Sequence, residues 1–160
     1  MNQYVLSVIV ENEPGILSRV AGLFSRRGYN IKSLSVGETE DPKISRMTIV
    51  VVGDSQIVEQ IKKQLQKLID VIKIYELEPE YSVYRELALV KVAASEANRP
   101  SILEVVEIFR GKVIDIASES LTVELTGDQH KINAFVDLMK AYGVSEMART
   151  GVTGLARFNP

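Results

Sequence analysis

From Tyr4 to Val10 (YVLSVIV) the chain is almost continuously apolar and rich in β-branched residues. The run is too short for a buried helix and reads as a strand. The period then changes. Ile16, Leu17, Val20, Ala21, Leu23 and Phe24 recur at three- and four-residue steps, which puts them on one face of a helix. Arg26-Arg27-Gly28 closes it: basic residues suit the negative end, and glycine accepts the left-handed closing conformation. Asn30 to Gly37 alternates as a strand, Gly37 to Lys43 is a polar turn, and Arg46 to Val52 is a further strand. Gly53-Asp54-Ser55 offers a turn and an N-cap before Ile57, Ile61, Leu65 and Leu68 at helical spacing. Val71 to Leu77 completes the order β-α-β-β-α-β, the ferredoxin-like arrangement.

The pattern then returns. Glu78 to Glu86 carries a proline and charges and reads as a linker. Leu87 to Ala93 is a strand, Arg99-Pro100-Ser101 opens a helix, and Gly111 ends it. Lys112 to Ile116 and Leu121 to Leu125 are short strands, Gly127-Asp128 caps another helix, and Val144 to Ala148 closes the sheet. The expected fold class is therefore α+β, two ferredoxin-like domains in tandem, divided as 1–78 and 79–160. Several strands, notably Met47 to Val52 and Val71 to Leu77, are apolar on both faces. Strand propensity with scattered surface apolars is one reading. Burial of the second face or edge against another chain is the other, and oligomerisation is the stronger expectation.

Composition narrows the function. The chain has 160 residues, a net charge of -2 and no cysteine. Thiolate nucleophiles, disulfides and sulfur-based zinc sites are excluded. No basic field favours nucleic acid or an anionic membrane, and no apolar run approaches the ~20 residues of a membrane span. The start lacks the basic segment and cleavage site of a signal peptide, so a cytoplasmic location is expected. His130, the sole histidine, falls early in a helix beside Lys131 on a stretch expected to be exposed, where an inert role is the default. No metal-ligand spacing, phosphate-cradling glycine motif or Gly-x-Ser-x-Gly elbow is present. Glu38, Glu40 and Asp41 cluster in a turn, where solvation explains them. The central strands carry Leu, Val, Ile, Met and Thr where an RNA-binding sheet needs aromatic residues.

The turn Glu11-Asn12-Glu13-Pro14-Gly15 holds the most pointed chemistry. A helix starting here leaves the amides of Gly15, Ile16 and Leu17 without intrahelical partners. With the helix dipole they form a ready carboxylate site, and Gly15 lets a ligand approach the backbone. Asn12 offers a donor and an acceptor, and Asn30 offers the same at the far end of the helix. A small zwitterion needs that mixture. Each residue also has a plain structural reading: Asn12 as N-cap, Pro14-Gly15 as turn, Asn30 as the start of a strand. One helix of some fourteen residues is roughly 20 Å long at ~1.5 Å per residue, so a single chain cannot bring both ends to one ligand. A symmetric dimer can.

LSVIVENEPGILSRVAGLFSRRGYNIKSLSVG, DPKISRMTIVVVGD and QIKKQLQKLIDV, with RELALVKVAAS, EIFRGKVIDI and ARTGVTGLARF in the second half, closely resemble the regulatory (small) subunits of acetolactate synthase, also called acetohydroxyacid synthase. The resemblance covers nearly the whole chain, and its first half looks like an ACT domain, the amino-acid-sensing form of the ferredoxin-like fold. It implies a chain with no catalytic residues and no cofactor. The expected partner is the large subunit, which carries thiamine diphosphate, a divalent metal such as Mg and FAD. It further implies a homodimer through ACT domains and feedback inhibition by valine or another branched-chain amino acid. By motif match, Asn12, Gly15 and Ile16 would come from one subunit and Asn30 and Ile31 from the other. Pro14 stands where other members often carry a small polar residue, and the second domain shows no effector motif. A free-standing ACT sensor of another biosynthetic enzyme is the rival reading. An acylphosphatase-type hydrolase is more distant, since Arg19 is expected to face away from the loop.

Overall fold

The computed structural model describes residues 2–158. They divide into two compact units, one built from the chain up to Tyr84 together with the segment from Val152 onward, the other from Arg85 to Gly151.

In the first unit, β1 (Asn2–Glu11) leads to α1 (Ile16–Arg27), β2 (Ile31–Glu38), β3 (Ile44–Gly53), α2 (Ser55–Gln66) and β4 (Val71–Glu76). The sheet order is β2-β3-β1-β4, all neighbours antiparallel. Alternation along β1 sends Leu6, Val8 and Val10 to one face, where they pack with Val20 and Phe24 of α1 and Ile61 and Leu65 of α2. Asp54 caps α2 by accepting the Ile57 amide at 2.9 Å, and Gly28 ends α1 at φ 68°. Both devices follow the residue preferences read from the sequence.

The second unit repeats the scheme. It holds β5 (Ser82–Ala93) from Arg85 onward, α3 (Arg99–Ile108), β6 (Lys112–Ile116), β7 (Ser120–Gly127), α4 (Gln129–Lys140) and β8 (Val144–Arg149), with sheet order β6-β7-β5-β8. Its core joins Val90, Leu121 and Val123 to Ile102, Phe135 and Met139 of the two helices. Asp128 caps α4 through the Lys131 amide at 2.9 Å. Two ferredoxin-like units in tandem are what the sequence pattern predicts.

Two features depart from that pattern. The stretch expected as a linker is structured: Pro79–Tyr81 makes a 3-10 turn, and β5 begins at Ser82, inside the first unit. A ninth strand, β9 (Thr153–Ala156), pairs with β5, and the Arg157 amide donates to Tyr81 O at 2.7 Å. The compact units thus divide at 84/85 rather than 78/79, and the chain after Gly151 returns to the first unit. This return explains part of the double-faced apolarity of the first sheet. Val5, Val50 and Leu77 pack with Val152 of the same chain on the face opposite α1 and α2, flanked by Tyr75, Tyr84 and Ala156. Among the described residues no helix is long and apolar enough to cross a membrane, and no cluster of His, Cys, Asp and Glu could hold a metal ion.

Candidate functional site

The turn between β1 and α1 is built differently from the sequence reading. The helix begins at Ile16, and Gly15 is its N-cap, at φ 85° and ψ -2°. That left-handed conformation costs an L side chain about 1–2 kcal/mol, so Gly15 is required by backbone geometry before any ligand is considered. The Ile16 amide is not wholly unused, since it reaches Glu13 O at 3.4 Å. The cap has no side-chain hydrogen bond, and no acidic residue lies in the first turn. The helix dipole therefore meets no carboxylate of its own turn.

Asn12 is not the N-cap. Its backbone amide donates to Lys43 O at 2.8 Å, and its Nδ2 donates to Pro42 O at 3.0 Å and Glu38 Oε1 at 3.4 Å. The residue ties the start of α1 to the turn between β2 and β3, across thirty positions of sequence. Arg19 also departs from expectation. Its guanidinium folds back along the helix, and a Cβ built on Gly15 would lie 3.2 Å from its Nη1. It is held there by Asp70, with Nε at 2.9 Å and Nη2 at 2.6 Å from Oδ2. Asp70 is buried, and its carbonyl accepts the Glu11 amide, so the turn before β4 braces the same spot. A basic residue one turn into a helix carries no signal for folding back; only the distant carboxylate fixes it.

Asn12, Gly15 and Ile16 are thus gathered at one end of the sheet. Asn30 and Ile31 are not with them. Register runs Tyr4 to Val51 to Ile31 at one end of the sheet and Val10 to Ser45 to Glu38 at the other. The interval from Ile31 to Glu38 is about 23 Å at ~3.3 Å per residue. Asn30 is exposed and its carbonyl accepts the Val52 amide at 3.4 Å. It lies beside β2, which is an edge strand.

The equivalent turn of the second unit is closed on itself. Ser95 N donates to Asn98 Oδ1 at 2.6 Å and Asn98 N to Ser95 Oγ at 3.2 Å, ahead of α3 with a proline in its first turn. The open glycine cap belongs to the first unit alone among the described helices of this pair of turns.

Comparison with known proteins matches the two halves of the chain to two family models, the second of which also takes in the segment that returns to the first unit. Residues 6–73 match a family model described as the AHAS small subunit-like ACT domain, and residues 85–158 match one described as the small subunit of acetolactate synthase. The chain is 53% identical over 155 residues to a probable acetolactate synthase small subunit of Methanothermobacter thermautotrophicus, covering 96% of this chain and 92% of the relative. It is 52% identical to the corresponding protein of Archaeoglobus fulgidus, covering 98% of each. The crystal structure of the acetolactate synthase small subunit from Thermotoga maritima superimposes with a TM-score of 0.91 at 43% identity, over 100% of both chains.

Proposed function

The chain belongs to the family of acetolactate synthase small subunits, and on that footing we propose that it is the non-catalytic regulatory subunit of an acetolactate synthase. It raises the activity of the large subunit, on which thiamine diphosphate, Mg and FAD reside, and it imposes feedback inhibition by valine or another branched-chain amino acid. The match of both halves, in order, to small-subunit family models carries this reading.

The effector is shared between two copies of the chain. β2 is an edge strand, so two copies can pair antiparallel along it. A two-fold axis near the middle of β2 sets Asn30 of one copy against the Glu38 end of the other, the end to which Asn12 is tied. The amino acid's carboxylate then meets the start of α1 at Gly15 and Ile16, where the helix dipole and Arg19 supply positive charge. Asn12 and the second copy's Asn30 hold the polar end, and nearby apolar side chains such as Ile31 receive the effector's side chain. Binding shifts the enzyme only by its difference in affinity for the two dimer arrangements.

Reconstitution tests the proposal. The chain mixed with its cognate large subunit should increase acetolactate formation, and valine should lower it. The absence of both activation and inhibition would reject this reading and favour the free-standing sensor.

A further inference from the structure

Arg46 has an unusual set of partners. It leaves β3 on the face opposite α1 and α2 and reaches across β1 to β4, where Nη1 donates to Ser7 Oγ at 2.6 Å and to Tyr75 Oη at 2.8 Å. Ser7 is fully buried, and Arg46 and Tyr75 are partly so. Both acceptors are uncharged hydroxyls. Arg19 and Arg149, by contrast, meet the buried carboxylates Asp70 and Glu86. Among the described residues no carboxylate lies within ion-pair distance of Arg46. A guanidinium drawn partly out of water without a counter-charge is unfavourable, so an arriving anion gains more here than at an exposed arginine.

A second cation stands beside it. Lys73 Nζ lies 5.3 Å from the centre of the Tyr75 ring. The Tyr75 phenol registers the local potential: burial pushes it up, but hydrogen bonding to Arg46 and Ser7 and the charges of Arg46 and Lys73 outweigh that and bring it below the ordinary value. Arg46 lines a depression together with Ile9, Lys73, Tyr75 and the turn at Glu40 and Asp41. A second depression shares Thr39, Glu40 and Arg46 with the first, is lined by Ser35 to Glu38 of edge strand β2, which brings a third carboxylate to the rim, and runs on to Thr153 and Leu155 of β9. Together they make one open groove within the first unit, with Leu155 exposed along it. Small-molecule sites are enclosed and mostly apolar. An open groove with a cationic lining, an apolar flank and an acidic rim suits a protein segment better.

We propose that this groove is where the catalytic subunit docks, through a segment whose acidic side chain seats on Arg46 and Lys73 and whose apolar neighbour lies against Ile9 or Leu155. The assignment rests on the regulatory-subunit reading above. Glu40 and Asp41 at the rim select for a cation beside the docking carboxylate and against an unbroken acidic run.

The test is the affinity of full-length variants for the intact large subunit, by titration calorimetry and by the concentration giving half-maximal activation. Arg46→Gln retains side-chain N–H groups for Ser7 and Tyr75 but removes the charge, and Lys73→Gln changes an exposed residue with little risk to folding. Each should weaken association by roughly tenfold to a hundredfold, the range of a charge-assisted hydrogen bond. Arg46→Lys should recover part of it, and added salt should weaken wild type more than either variant. Valine binding to the isolated chain should be unchanged. Wild-type affinity in both Gln variants would overturn the docking assignment while leaving the regulatory reading intact. So would loss of self-association alone, which makes the groove an interface between copies, or loss only of saturable inorganic phosphate binding, which makes it a small-anion site. Wild-type chain that does not bind the large subunit at all would instead remove the premise.

Discussion

Asn12 Nδ2 donates to the carbonyl of Pro42 at 3.0 Å, fastening the start of α1 to the turn between β2 and β3. The same side chain faces Glu38 at the end of edge strand β2. Replacing it with Ala should lower stability by about 1 kcal/mol, the net worth of the exposed bond to Pro42 with a long, solvated one to Glu38. Valine affinity should nevertheless fall by about tenfold or more, because one polar partner and the placement of the turn are lost together. Urea unfolding and calorimetric valine titration separate the two effects.

Gly15 at φ 85° makes substitution there ambiguous in one direction only. Gly15→Ala should lower stability by about 1–2 kcal/mol through backbone strain, visible as a lower denaturation midpoint. Gly15→Asp adds a negative charge beside Arg19 and the helix start. Lost valine inhibition in that variant would mix strain with charge. Inhibition retained in a folded Gly15→Asp chain would exclude this helix start as the carboxylate site.

Removing the two partners of the Arg19–Asp70 pair should not cost the same. The Asp70 side chain is 12% exposed and that of Arg19 46%. Arg19→Met strands a buried carboxylate and should destabilise by about 1–3 kcal/mol. Asp70→Asn leaves a guanidinium that water still reaches and should cost about 1 kcal/mol or less. Both should weaken valine binding, since either releases Arg19 from its place beside Gly15. Equal stability losses in urea would show that Asp70 is not held by this arginine.

Tyr84 gives the returning chain a pH signature. Its hydroxyl donates to Leu77 O. Burial, then the charges of Glu76 and Glu78, push its phenol up to about 12. A group that holds its proton more tightly when folded stabilises fully below its ordinary value, here 10.0, and loses that contribution as pH rises to about 12. Thermal stability should therefore fall across that window, and Tyr84→Phe should flatten the fall while lowering stability at neutral pH. A profile identical in wild type and Tyr84→Phe would contradict this placement.

Local chemistry was legible in the sequence wherever neighbours in sequence are neighbours in space. The caps at Asp54 and Asp128 and the glycine stop at Gly28 rest on contacts within a few residues, and each appears as its residue type requires. What stayed hidden depends on distant partners. Thr153–Ala156 is too short to show a period, and its pairing partner begins inside a charged stretch that reads as a linker. The glycine at position 15 was legible as a turn residue, but its role as a left-handed cap was not, because Pro14-Gly15 also suits a helix's first turn. Asn12 has all the attributes of an N-cap, and only the fold of the β2–β3 turn gives it another partner. The separation of Asn12 from Asn30 was readable from helix length alone. Sheet register makes it firm.

A shared effector site has a direct test in mixed dimers. Asn12→Ala and Asn30→Ala chains are unfolded, mixed, refolded and combined with the large subunit, at a valine concentration that inhibits wild type but neither variant alone. Random pairing makes half the dimers mixed, and each mixed dimer carries one doubly altered site and one intact site, so about a quarter of the sites should return. Valine binding and partial inhibition should then reappear at wild-type affinity. A mixture as insensitive as its two parents would contradict a site built from two chains.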